Sequence, residues 1–147
     1  MALFQSFDIS ASGMTAQRFR TDIIAENIAN VNTTRTEDGT PYRRQVVTFA
    51  QKVDTPFSDI LKSHRNKYKG EGVKVYSLKE DETSDFIMEY DPSHPDADEN
   101  GYVSYPNVNI VTEMTNLIDA SRAYEANATA FDASKAIAQA GIQIGKS

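Results

Sequence analysis

Residues 107–147 read NVNIVTEMTNLIDASRAYEANATAFDASKAIAQAGIQIGKS, and their spacing decides the fold. Ile110, Met114, Leu117, Ser121, Tyr124, Ala128, Phe131, Lys135, Ala138, Ile142 and Gly145 alternate by four and three without a break. That is the heptad pattern of a helix lying along a partner helix. Nine alanines between Ala120 and Ala140 favour helix and keep its surface narrow enough for close approach. The spacing predicts one helix over 108–144, about 55 Å long at ~1.5 Å per residue. Pro106 and Asn107 would lead into it, and Gly141 and Gly145 mark a frayed end. Ser121 and Lys135 interrupt the seam, while Ile118, Ala130, Ile137 and Ile144 broaden it. So wide a stripe is expected to touch more than one neighbour; a helix packed only within its own domain is the plainer alternative.

The other end of the chain repeats the pattern. Phe4, Phe7, Ala11, Met14, Thr21, Ala25 and Ile28 share one face, interrupted by Arg18 and widened by Phe19, Ile23 and Ile24. A second helix is predicted over 4–30, with a break expected near Ser12-Gly13. The run from Asn27 to Thr34 should end it, because Asn and Thr satisfy loose backbone groups in turns. The expected fold is therefore mainly α with a small β-rich middle. Its long terminal helices pack as an antiparallel coiled-coil-like hairpin, with short strands between them. Residues 1–34 and 107–147 would form one discontinuous helical assembly domain, and 35–106 a turn-rich middle. Two narrow, alanine-rich helices bury little surface against roughly 1–2 kcal/mol of backbone entropy per ordered residue. The ends are accordingly expected to be poorly ordered in a free monomer and to fold in an assembly.

The middle differs in composition. All five prolines and six of the seven tyrosines lie within residues 41–106. Residues 35–106 carry a net charge of −4 (10 basic, 14 acidic), against −1 for each end. Short strands are predicted around Val46–Phe49, Gly72–Lys79, Phe86–Tyr90 and Val103–Tyr105. Residues 53–70 are polar, with Lys62, Arg65, Lys67 and Lys69 clustered around His64. They read as a solvated loop or as a contact for an acidic surface.

Composition excludes several function classes for a chain of 147 residues. A net charge of −6 argues against a binder that neutralises nucleic-acid phosphates. The absence of Cys removes disulfides, zinc thiolates and a Cys nucleophile. Only His64 and His94 are available for histidine chemistry. No apolar run approaches the ~20 residues that span a bilayer. The first basic residue is Arg18, behind Asp8, so a cleavable secretory signal is not expected.

Asp91-Pro-Ser-His-Pro-Asp-Ala-Asp-Glu-Asn-Gly-Tyr-Val103 raises a metal alternative. Asp96, Asp98, Asn100 and Gly101 match the first half of a calcium-binding helix–loop–helix, where alternate oxygens converge on the ion. The twelfth position should be a bidentate Glu and is Asn107, and prolines stand in place of the flanking helix. A tight turn whose Asp and Asn side chains cap their own backbone accounts for the same residues. A small hydrolase is the least supplied reading, since no serine motif, phosphate cradle or pocketed carboxylate pair is evident.

Two further stretches carry a resemblance. Ser12-Gly-Met-Thr-Ala-Gln-Arg-Phe-Arg20, continuing to Asn27-Ile-Ala-Asn-Val-Asn-Thr33, resembles the N-terminal signature of bacterial flagellar rod and hook proteins. Asn107-Val-Asn-Ile-Val-Thr-Glu-Met114, followed by Ser121-Arg-Ala-Tyr-Glu-Ala-Asn127, resembles their C-terminal signature. Thr33–Arg44 and Asp91–Val103 look like the motifs of the proximal rod members.

The resemblance implies a structural subunit of the basal-body rod, the tubular shaft that transmits torque around the export channel. It implies no enzymatic activity, no cofactor, no nucleic acid and no direct membrane span. The implied partners are further copies of the chain, other proximal rod proteins, the adaptor at the membrane ring, the distal rod protein and the flagellar type III export apparatus. The implied location is the basal-body rod outside the cytoplasmic membrane, reached without a cleavable signal. Asn27, Ile28, Ala29, Asn30 and Thr33 would close the first helix. Phe4, Phe7, Met14, Phe19, Ile24, Asn27, Ile28, Asn30, Ile110, Met114, Leu117, Tyr124, Phe131 and Ile142 would form the assembly interface. The turn over 91–103 would contact a neighbour, and no metal site is implied.

Overall fold

A computed structural model describes residues 2–52 and 71–145; the basic cluster around His64 lies outside them. The elements follow the order α1 (Ala2–Ala29), β1 (Gln45–Gln51), β2 (Val73–Glu80), β3 (Ile87–Tyr90), β4 (Tyr102–Tyr105) and α2 (Ile110–Ile144). The fold is mainly helical, with two long helices packed against each other and a small strand-rich middle. As α1 advances through Phe7, Gly13 and Asn27, its partners on α2 recede through Phe131, Asn127 and Glu113. The pairing is antiparallel.

The helices end and begin where side chains satisfy loose backbone groups. Asn30 closes α1, its N–H and side-chain amide both donating to the Glu26 carbonyl at 3.0 Å. The Thr33 hydroxyl then donates to Asn30 Oδ1 at 3.1 Å. At the start of α2, Asn109 Oδ1 accepts the Thr112 N–H at 3.1 Å, a cap of the usual kind. The cap falls two residues later than Asn107, which is engaged elsewhere. The expected break at Ser12-Gly13 does not occur, and α1 runs through it unbroken.

The strands form two separate two-stranded sheets. Asp81 N–H donates to the Arg44 carbonyl at 2.8 Å and Lys52 N–H to the Gly72 carbonyl at 2.9 Å, so β1 and β2 run antiparallel. Mid-ribbon, the Thr48 and Ser77 hydroxyls meet at 2.6 Å. β3 and β4 are an antiparallel hairpin in the register Ile87–Tyr105, Met88–Ser104, Glu89–Val103 and Tyr90–Tyr102. Both ribbons are too narrow to cover their own faces, and Tyr76, Ile87, Met88 and Tyr90 remain exposed.

Contacts divide the chain into two compact units. Of the described residues, one comprises 2–18, 49–52, 71–76 and 121–145; the other comprises 19–48 and 77–120. We call them the outer and inner units, after the helix turns nearer to and farther from the chain termini that each contains.

Candidate assembly site

The outer unit is held by close approach. The Phe7 ring meets Phe131 edge-on, with centroids 4.9 Å apart, and Phe4 tilts against Phe7 at 6.4 Å. Gly13 faces Asn127, and a Cβ at Gly13 would stand 2.5 Å from Asn127 Oδ1. The Ser12 hydroxyl donates to the Ile9 carbonyl at 2.7 Å and accepts the Val73 N–H at 3.1 Å. It thus pins the start of β2 to α1. Gly72 adopts a φ of +93°, and a Cβ there would run into the Ser12 hydroxyl. Ser12 and Gly13, expected to break the helix, are its points of contact.

The inner unit is built around a buried polar clasp. Asn27, in the last turn of α1, is 1 % exposed, as is Glu113 in the first turns of α2. Asn27 Oδ1 accepts the Gln45 N–H at 2.8 Å and the Tyr42 hydroxyl at 2.9 Å. Its Nδ2 donates to the Gln45 carbonyl at 2.9 Å and to Glu113 Oε2 at 3.2 Å. Both acceptor sites and both donors of the amide are therefore used. Arg44 closes on Glu113 through Nε at 2.9 Å and Nη2 at 2.7 Å, and its Nη1 lies 3.6 Å from Asp81 Oδ2. Asn107 Oδ1 accepts the Arg44 N–H at 2.8 Å, while its Nδ2 donates to the carbonyls of Asp81 and Ser84 at 2.9 and 3.1 Å. Ile23, Ile24, Val103 and Val108 supply the buried apolar part of the same unit.

Electrostatics follow from this geometry. Burial, followed by the nearby carboxylates of Glu26, Glu113 and Glu80, pushes the Tyr42 hydroxyl up to about 12. Hydroxyl groups of Thr83 and then Ser84 hold the Asp81 carboxyl down at about 2. A negative side chain in the first turn of α2 also suits the positive end of the helix dipole. Chemically the clasp is closed. Glu113 is sealed from water and already accepts from Arg44, Asn27 and Asn116, which leaves it no approach to a substrate.

This packing sorts the residues expected at the interface. Ile24 and Asn27 are buried within the chain, while Phe7, Met14, Phe19, Ile28, Asn30, Leu117 and Phe131 are half-buried. Phe4, Ile110, Met114, Tyr124 and Ile142 are exposed. On α2 the face turned inward runs through Glu113, Leu117, Ala120, Asn127, Phe131, Ser134 and Ala138. In its first half this face lies about one residue from the predicted stripe, so the larger apolar side chains turn outward. Val111 is 74 % exposed and Met114 54 %, with Ile110 and Ile118 beside them. Sequence reasoning missed Arg44, Asp81, Asn107 and Glu113. The available signal was Asn27, an amide one turn beyond Ile23 and Ile24 on an otherwise apolar face.

The acidic turn spends its carboxylates on its own loop and its neighbours. Asp98 Oδ1 accepts the N–H groups of Asn100 and Tyr102, both at 2.8 Å. Asp91 accepts the Ser93 N–H and hydroxyl at 3.0 and 2.6 Å, and Ser93 lowers its pKa. Asp96 takes the Thr34 hydroxyl at 2.8 Å and lies 3.7 Å from Arg35. Gly101, at φ +82°, closes the turn. Asp96 and Asp98 thus spend their oxygens on Thr34, Arg35 and the loop's own N–H groups, and among the described residues no cluster of three or more His, Cys, Asp or Glu side chains forms.

Comparisons with known proteins agree at both ends and over the full length. Residues 7–35 match the family described as flagella basal body rod protein, and residues 99–144 match the flagellar basal body rod FlgEFG protein C-terminal family. The chain is 45 % identical to the flagellar basal-body rod protein FlgC of Borreliella burgdorferi, covering 98 % of each chain. It is 43 % identical to FlgC of Bacillus subtilis, over 99 % of this chain and all of that one. Identity to FlgC of Salmonella typhimurium is 36 %, with the same coverage.

Proposed function

Because the chain belongs to the flagellar basal-body rod protein family, we propose that it is a structural subunit of the basal-body rod, assembled through its helical pair. The observation that carries this reading is the outward-facing stripe of Ile110, Val111, Met114 and Ile118 on a helix whose inward face is small and polar. Exposed apolar side chains in a contiguous run mark a surface to be covered. Neighbouring subunits cover it.

In this proposal residues 1–34 and 107–147 form the assembly part, and residues 35–106 the part turned toward other components. Phe4, Ile110, Met114, Tyr124 and Ile142 face neighbouring subunits. Phe7, Met14, Phe19, Leu117 and Phe131 serve the seam within the chain and its edges. Ile24 and Asn27 act inside the chain. The partners are further copies, other proximal rod proteins, the ring adaptor and the distal rod protein. Export through the flagellar type III apparatus delivers the chain. No catalytic step is assigned, and no described helix is long and apolar enough to cross a membrane.

Met114→Asp tests the surface, because the side chain is exposed and its loss leaves the intrachain seam intact. The variant is expected to keep the circular dichroism of the parent, yet to be missing from isolated basal bodies and to leave cells non-motile. Normal motility with Met114→Asp incorporated would refute the assignment.

A further inference from the structure

The two units differ in what they bury. Among the described residues the inner unit buries Ile23, Ile24, Val103, Val108, Ala120 and three members of the clasp, Asn27, Asn107 and Glu113, whereas the outer unit buries only Ser10, Gly13 and Ala16. The clasp also ties segments far apart in the chain. Asn27, Arg44 and Glu113 join the end of α1, the start of β1 and the start of α2. Because Asn27 and Glu113 are out of water, breaking any one of these bonds strands a buried amide or carboxylate. The inner unit therefore opens as a whole or not at all.

We propose that the Asn27–Arg44–Glu113 clasp is a pre-ordering device. It holds the last turns of α1 and the first turns of α2 formed in the free chain, while their outer turns exchange between ordered and disordered states. This rests on the rod reading only for its purpose. The Ile110–Ile118 surface is then presented ready-made, and docking does not bear the entropy of ordering it. Disorder of the ends in the free chain is then confined to residues 2–18 and 121–144.

Hydrogen exchange measured by mass spectrometry on the dilute full-length chain tests this without any rod. Amides in 23–29 and 113–120 are expected to exchange at least ~100-fold more slowly than those in 5–12 and 127–138. Glu113→Ala should abolish protection in both inner segments together, whereas Phe131→Ala should leave them within about threefold of the parent. Uniform protection along both helices, or none anywhere, overturns the proposal. So does inner protection that survives Glu113→Ala, or that falls with Phe131→Ala. The motility of Met114→Asp bears on the rod reading alone, so either idea can fail while the other stands.

Discussion

The same pair of helices is joined by two different chemistries. In the outer unit the seam relies on absence of bulk: Gly13 admits Asn127, Gly72 admits Ser12, and one edge-on pair of rings, Phe7 and Phe131, fills the remaining space. In the inner unit it relies on charge-assisted bonds to the buried carboxylate of Glu113. Close approach of small groups gains many weak contacts, each of which is lost gradually. A buried ion pair gains little over apolar packing but costs heavily when half of it is removed. The inner unit should thus be brittle and specific, and the outer one tolerant.

The largest test of that difference is Glu113→Ala, which leaves Arg44 without its carboxylate inside the unit. Arg44 is a quarter exposed and keeps Asp81 beside it, so the cost should fall at or just below the ~3–5 kcal/mol of a fully buried pair, read as a lowered urea midpoint. A cost under about 1 kcal/mol would erase the contrast, placing the clasp among surface pairs. Gly72→Ala comes next. It forces a side chain into positive φ against the Ser12 hydroxyl, and about 1–3 kcal/mol is expected, with the loss confined to outer-unit amides. Phe131→Ala removes a half-buried ring and its edge contact, so about 1 kcal/mol is expected from the aromatic pair; a cost as large as that of Glu113→Ala would reverse the ranking of the two units.

The smallest effects are those of pH, and they belong to the inner unit. Tyr42 ionises near 10.0 in an unfolded chain but near 12 in the fold. Its contribution is complete below pH 10 and lost as pH rises toward 12, because the unfolded state releases its proton first. A thermal-melt series from pH 8 to 12 should show this decline, and Tyr42→Phe should flatten it. Asp81, held at about 2, works in the opposite sense. Its contribution is present above pH 4 and fades as pH falls through about 2.

Periodicity made the helices legible, because their apolar and small residues recur at fixed spacing from Ile110 to Ile142. Short β-rich runs likewise located the four strands, within a residue or two. Two details of the site were hidden for physical reasons. The stripe read as a seam is the larger apolar one, while Glu113 and Asn127 occupy the true inward face beside alanines; a charge-free pattern search discards such positions. Arg44, Asp81 and Asn107 lie in loops, where sequence gives no period, and only the fold brings them to Glu113. The acidic turn was legible as a turn because Asp91 and Asp98 each accept the backbone N–H two residues on, from Ser93 and Asn100.

Arg44 gives the inner unit a mechanical property. Its N–H is held by Asn107, its carbonyl by Asp81 and its guanidinium by Glu113. Main chain and side chain of one residue are anchored to three separate stretches. A pull on the middle of the chain relative to the helices loads these bonds in parallel rather than one after another. Such a junction resists until all three yield together, behaving as a rivet where a row of independent contacts would peel.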